Sequence, residues 1–228
     1  MRVFITGDIH GEFSRLNLNG LSSGDIVIVT GDFGILDTST ETIKKLEELS
    51  SLPFTTCFVD GNHENFELLN SMPEVQFYES TAHQLELNGV RYPIYHLKRG
   101  EVYDFDGFKV FTYGGAISYD KHLRTPGVDW WKEELPTTEE LSHALNTIHN
   151  NPKVDCIVTH DSPTHICYRL YERPQPNEVN YQLDKILDSF IDDQGNYMFD
   201  CWYFGHHHKD FKIDDKFHCI YTDIIRVH

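Results

Sequence analysis

Arg2-Val3-Phe4-Ile5-Thr6-Gly7-Asp8-Ile9-His10 is the stretch on which the reading of this chain turns. A short apolar run gives way to Gly-Asp, with a histidine two residues later. The theme returns at Ile26-Val27-Ile28-Val29-Thr30-Gly31-Asp32, and again at Phe54 to Val59 with Asp60-Gly61-Asn62-His63 behind it. Five- or six-residue runs rich in Val, Ile, Phe and Thr read as buried strands. Between the second and third runs, Ile43, Leu46 and Leu49 recur at helical spacing, with Thr38, Ser39 and Thr40 as N-cap candidates and Pro53 as the stop. Strand, helix, strand in this order predicts a parallel sheet with a right-handed crossover.

Working outward, the pattern changes. His83 to Leu87 leads through Asn88-Gly89 into Val90 to Leu97, and Val102 to Phe105 turns at Asp106-Gly107 into Phe108 to Tyr113. Asn-Gly between strand-like runs signals a hairpin, so this part is antiparallel and the α/β fold is mixed. Pro136 to Glu140 opens a helix carrying Leu141, Leu145 and Ile148. Val154 to Thr159 is a strand ending at His160, and Pro163 to Pro176 reads as loop. Val179 to Ile191 is helical with Leu183, Ile186, Leu187 and Phe190 inward. Trp202 to Phe204 ends in Gly205-His206-His207-His208, and short strands close the chain near Phe211, Phe217 and Ile224. No repeat, linker or boundary interrupts residues 1–228, which read as one domain.

Composition excludes several classes. Hydrophobic residues make up 39% of the 228, and charged residues 24%, which is globular rather than disordered. Asp plus Glu number 36 against 19 Lys plus Arg, a net charge of -17 that argues against non-specific binding to duplex nucleic acid or an anionic membrane. No apolar run approaches the roughly 20 residues of a membrane span, and the opening apolar stretch is too short for a secretory signal. Cys57, Cys156, Cys167, Cys201 and Cys219 lack any C-x-x-C pair and read as buried thiols. Together these features predict a cytoplasmic protein. They carry no signal for oligomeric state.

The chemistry gathers at strand ends: Asp8 and His10, Asp32, Asn62 and His63, His160, then His206 and His208. Singly, each fits a polar cap on a strand. Jointly they form a crevice set, because ligands in open α/β sheets collect at the carboxyl ends of strands. In extended backbone, residues i and i+2 share a face, so Asp8 with His10, and His206 with His208, are each expected to aim at one ion, while Ile9 and His207 point elsewhere. Gly7, Gly31, Gly61 and Gly205 precede these residues and allow close approach of the backbone. Mixed nitrogen and oxygen donors without thiolate suit Mn, Fe, Zn or Co. Three carboxylate or amide groups and four imidazoles exceed the needs of one ion, so two ions sharing Asp32 are expected; such pairs clamp an in-line displacement at phosphorus.

Gly7-Asp8-Ile9-His10, Gly31-Asp32, Gly61-Asn62-His63-Glu64, Thr159-His160 and Gly205-His206-His207-His208 resemble, in order, the motifs of the calcineurin-like metallophosphoesterases. The resemblance spans positions 7 to 208. It implies a four-layer α/β/β/α sandwich of two mixed sheets with flanking helices. It implies one divalent ion, manganese first in expectation, on Asp8, His10, Asp32 and His208, and a second on Asp32, Asn62, His160 and His206. A bridging hydroxide would attack phosphorus in a phosphodiester or small phosphomonoester such as a nucleotide. Asn62 would help hold a phosphate oxygen, and His63 would protonate or stabilise the leaving oxygen. Among basic residues, Arg124 is the candidate for phosphate contact, with Arg91, Arg99 and Arg169 competing; Trp130 and Trp131 either wall the pocket or pack.

The chain departs from the Ser/Thr protein phosphatase version of the second motif. Ile35 stands where a second Asp would orient the acid histidine, and Leu36 where a phosphate-binding Arg would be. Asp37 or Asp60 is then the expected partner of His63. A phosphoprotein phosphatase, or a scaffold that kept the metal site without catalysis, are the alternative functions.

Overall fold

A computed structural model describes residues 1–16, 20–35 and 37–228. The opening runs form β1 (Val3–Thr6), β2 (Ile26–Val29) and β3 (Thr55–Phe58), paired in parallel in that order. The crossover from β2 to β3 carries α1 (Thr40–Ser50), whose N-cap Ser39 accepts the Thr42 amide. Next come α2 (Phe66–Ser71) and β4 (Glu74–Phe77), which the sequence reading does not contain: six and four residues are too few to display a period. The expected hairpin follows as β5 (Ser80–Leu87) and β6 (Val90–Leu97), turning through Asn88 and Gly89 at φ 52° and 77°.

At Lys98-Arg99-Gly100 the chain passes to a second sheet, beginning with the hairpin β7 (Glu101–Phe105) and β8 (Phe108–Tyr113). Then come α3 (Thr138–Asn150), with a Thr137–Glu140 capping box, and β9 (Cys156–Thr159). The stretch from Pro163 to Pro176, expected as loop, contains α4 (Thr164–Leu170), a correction: Pro163 sits at its N-cap, where a proline is tolerated. The chain closes with α5 (Glu178–Ser189), β10 (Cys201–Phe204), β11 (Phe211–Lys212), β12 (Phe217–Cys219) and β13 (Ile224–Arg226).

One sheet runs β13-β1-β2-β3-β6-β5-β4 and the other β11-β12-β10-β9-β8-β7. Each has parallel central strands and antiparallel flanks, so both are mixed. The sheets face one another through Val3, Ile5, Ile26, Ile28 and Cys57 on one side and Tyr103, Phe105, Val110, Cys156 and Val158 on the other. The outer face of the first sheet packs Val27, Val29 and Phe58 against Leu46, Leu49, Phe66 and Leu69. The outer face of the second packs Phe111, Ile157, Trp202 and Phe204 against Leu141, Ile148, Leu183 and Ile186. Helix, sheet, sheet, helix is the four-layer arrangement. The central strands are buried on both faces, which is why they read as unbroken apolar runs rather than alternating ones. Each such Val, Ile or Phe contributes about 1.5–3 kcal/mol on burial. No helix among the described residues is long and apolar enough to cross a membrane.

Candidate metal centre

The parallel strands end together, and their loops are laced to one another. His10 N donates to Asp32 O at 2.8 Å, Gly11 N to Phe33 O at 2.9 Å, and Gly205 N to His160 O at 3.0 Å. The backbone here is not extended. His10, Asp32, His206 and His208 have φ of 45°, 48°, 63° and 49°, in the left-handed region that side chains rarely occupy. The extended i, i+2 geometry expected of Asp8–His10 and His206–His208 is therefore replaced by left-handed turns. Ile9 still points into the core and His207 away toward Asp161 and Tyr171. Strain of this kind persists where surroundings over-determine it, and it clusters at functional sites.

Two of the preceding glycines show how tightly the loops meet. A Cβ on Gly31, itself at φ 106°, would overlap the His160 ring at Nδ1. A Cβ on Gly205 would overlap Asp8 Oδ1 and crowd Thr30 Oγ1. Each glycine is a seat for a candidate ligand from another strand.

Asp8, His10, Asp32 and His208 bring their donor atoms within 4.8 Å of one another, a group able to hold a cation. His208 Nε2 lies 3.2 Å from Asp8 Oδ2, His10 Nε2 3.1 Å from His208 Nε2, and His10 Nε2 3.8 Å from Asp32 Oδ2. The other oxygen of Asp32 faces a different set. Oδ1 is 3.3 Å from His160 Nε2, which is also 3.2 Å from Asn62 Oδ1. The His206 ring lies 5.1 Å from the His160 ring, and the His206 amide donates to Asp8 at 3.1 Å. Asp32 thus turns one oxygen to each cluster.

The donors fit a metal electrostatically. Burial works against the Asp32 charge, but His160 and His63 hold its carboxyl well below the usual range. Burial likewise works against a charged His160, yet Asp32 and Asp8 raise it to about 10. Its Nδ1 donates to Thr30 O at 2.7 Å, so Nε2 is the nitrogen turned to Asp32 and Asn62. A divalent ion bound at His160 would replace the Nε2 proton, the exchange expected when a metal binds imidazole. Burial lowers His206 to about 4, leaving its ring neutral as a ligand requires.

Asn62 is oriented by residues that sequence reading did not find. Its Nδ2 donates to Ser118 Oγ at 3.1 Å, and Ser118 gives Oγ–H and N–H to Glu134 at 2.5 and 3.0 Å. Ser118 and Glu134 are buried. A serine in a long loop and a glutamate before a helix carry no local signal of this; the contact spans 56 positions.

His63 gives its amide to Asp32 Oδ1 at 2.8 Å. Its ring has neither of the expected carboxylate partners. Asp37 accepts from Ser39 and Thr42 at the start of α1, and Asp60 is held by His96 and Arg99. Ile35 is buried in the core, and Leu36 lies outside the described residues. Instead Arg124 Nη1 comes within 3.1 Å of His63 Nδ1, steadied by Asp120 at 2.8 Å. Burial pushes the His63 imidazole down, Asp32 opposes, and Arg124 adds to the lowering. Of the other arginines, Arg91 pairs with Glu86, Arg99 with Asp60, and Arg169 with Asp214. Trp131 packs into the core, and Trp130 is half-buried. Glu64 accepts the Phe33 amide at 2.8 Å and is raised to about 8, first by burial and then by Asp32, so it joins loops rather than facing substrate.

A family model described as calcineurin-like phosphoesterase matches residues 1–210. No curated protein matches the chain. Among solved structures, one described as a Staphylococcus aureus 5′-nucleotidase in complex with alpha-ketoglutarate superposes with a TM-score of 0.47 at 12% identity; the match covers 99% of this chain and 50% of that one. With the motif residues gathered at one crevice and the family model covering most of its length, the chain belongs to the calcineurin-like phosphoesterases, metal-dependent hydrolases of phosphoesters.

Proposed function

We propose that this protein hydrolyses a phosphodiester or small phosphomonoester at a two-metal centre. Asp8, His10, Asp32 and His208 hold one ion, and Asp32, Asn62, His160 and His206 the other. The observation that carries this reading is Asp32, with Oδ2 toward His10 and Oδ1 toward His160. When bound, divalent ions supply Lewis acidity to the phosphoryl oxygens and to water. The chain's own residues do the rest. Asn62 directs its amide oxygen inward. Arg124, a guanidinium beside His63, pairs with the phosphate oxygens. His63 protonates the leaving oxygen or stabilises it by a hydrogen bond, where charge builds as the ester bond breaks.

The nitrogen and oxygen donors support manganese, with iron, zinc or cobalt as alternatives. The net charge of -17 supports small substrates over duplex nucleic acid. Unpaired thiols at all five cysteines support a reducing, cytoplasmic setting. Elemental analysis after saturation with Mn²⁺ tests the centre: two ions per chain are expected, with Asp32→Asn weakening both sites. A single ion at saturation overturns the two-metal reading. Absence of turnover on chromogenic mono- and diesters in a fully loaded protein overturns the hydrolytic one.

A further inference from the structure

A cavity of about 360 Å³ opens beside His206, lined by Tyr119, Asp161, Tyr171, Arg173, Asn180 and His206 among others. It adjoins the metal centre twice over. His206 belongs to both, and Tyr119 follows Ser118, the residue that holds Asn62. The Tyr119 ring lies 6.4 Å from that of His206 at an interplanar angle of 27°. A group seated here is continuous with a phosphate at the centre.

The walls are aromatic and uncovered. Tyr119 and Tyr171 are 59% and 41% exposed, large for rings in a folded chain. Both are nonetheless anchored by their hydroxyls. Tyr119 Oη donates to Gln175 O and accepts from Asn177 Nδ2, each at 3.3 Å, while Tyr171 Oη lies 3.0 Å from His207 Nδ1. Lys209 Nζ sits 4.1 Å above the Tyr171 ring and covers one face. Rings fixed at the hydroxyl but open on a face offer flat apolar surface at little cost in side-chain entropy.

The floor is an acceptor. Asp161 is 1% exposed; its Oδ1 takes the Ser162 amide at 2.7 Å and faces His207 Nε2 at 3.3 Å. With Oδ1 engaged by Ser162 and His207, Oδ2 is the Asp161 oxygen left to receive an N–H or O–H donor from a group in the cavity, which Arg173 also lines. The volume suits one small organic group.

We propose that this pocket binds the organic group of the phosphoester: a flat, uncharged heteroaromatic ring of the nucleobase kind, stacked on Tyr119 and Tyr171 and donating an exocyclic amine to Asp161. This rests on the reading of the adjacent centre as the phosphoester site. An aromatic face that accepts any base by stacking, with a carboxylate that selects an amino-bearing one, is the division of labour that nucleobase recognition uses.

The test uses nucleosides, which carry no phosphate, titrated calorimetrically into the full-length protein with and without Mn²⁺. Adenosine is expected to bind in both states, and saturating inorganic phosphate is expected not to displace it. Purine riboside, the same ring without the amine, is expected to bind about 10-fold more weakly. Tyr119→Ala is expected to weaken adenosine about 10-fold, with Tyr119→Phe retaining it, because stacking needs the ring and not the hydroxyl. No adenosine binding at millimolar concentration, or equal binding to Tyr119→Ala, overturns the proposal. Equal affinity for adenosine and purine riboside removes Asp161 as the selector and overturns it in that form. Ester hydrolysis without nucleoside binding rejects the pocket and leaves the centre standing; nucleoside binding without hydrolysis does the reverse.

Discussion

Asn62 is tied to Ser118 by one hydrogen bond, Nδ2 to Oγ at 3.1 Å, and that bond has a fixed direction. Ser118 spends its own hydroxyl proton on Glu134, a carboxylate that only accepts. Its lone pairs are therefore what Asn62 meets, so the amide must present Nδ2 to the serine and Oδ1 to His160. A buried carboxylate two residues removed from the crevice thus decides which end of the amide faces His160.

Replacing Glu134 with Gln is expected to scramble that direction. Gln offers one acceptor where Glu offers two, and its amide can donate to Ser118 Oγ. The serine proton then turns to Asn62, and the amide flips its NH₂ toward the centre. A loss of about 10- to 100-fold in Mn²⁺ affinity at the proposed site that includes Asn62 is expected, the usual scale for residues that orient ligands. Glu134→Asp is expected to recover part of it. Calorimetric titration of metal into each variant reads the effect; unchanged affinity in both contradicts the orientation argument.

His63 and Arg124 separate by leaving group. His63→Ala is expected to keep both metals and most activity on p-nitrophenyl esters, whose leaving group needs no proton. On alkyl esters it is expected to lose roughly 10²–10⁴-fold. Arg124→Ala is expected to raise KM on both classes, because the phosphate oxygens it is proposed to pair with are common to both. Equal losses of His63→Ala on both ester classes would move His63 to an electrostatic role.

Gly31→Ala and Gly89→Ala form a matched pair. Both positions have positive φ, 106° and 77°. A Cβ at Gly89 meets nothing, so the cost is the backbone alone, about 1–2 kcal/mol. A Cβ at Gly31 strikes His160, and strain plus overpacking is expected to cost at least about 3 kcal/mol. Urea unfolding of the metal-free variants checks the ranking.

His83 carries a pH dependence away from the centre. Burial, then His96 and Lys98, lower it to about 4 from an ordinary 6.5. Between those values the unfolded chain binds the proton and the folded chain does not. Stability from this group is therefore present above pH 6.5 and is lost as pH falls toward 4. His83→Gln is expected to flatten that part of the profile by on the order of 1 kcal/mol, allowing for solvent screening of a half-buried ring. Urea midpoints at pH 4.5 and 7 measure it.

The sequence by itself determined the strand ends and what they carry. Val, Ile, Phe and Thr runs closed by Gly-Asp or Gly-His are legible because central strands are buried on both faces and their ends are not. Asn88-Gly89 fixed a hairpin because only such residues take positive φ at adjacent positions without cost. The short elements α2, β4 and α4 were illegible, being too brief for a period and held by packing rather than propensity. Only the tertiary structure decided how the site is held. The left-handed turns at His10, His206 and His208, the Ser118–Glu134 support of Asn62, and Arg124 in place of a carboxylate beside His63 all depend on loops meeting across sheets. Local sequence records what a residue can donate or accept; which residue receives it, 56 or 61 positions away, is set by how the two sheets stack.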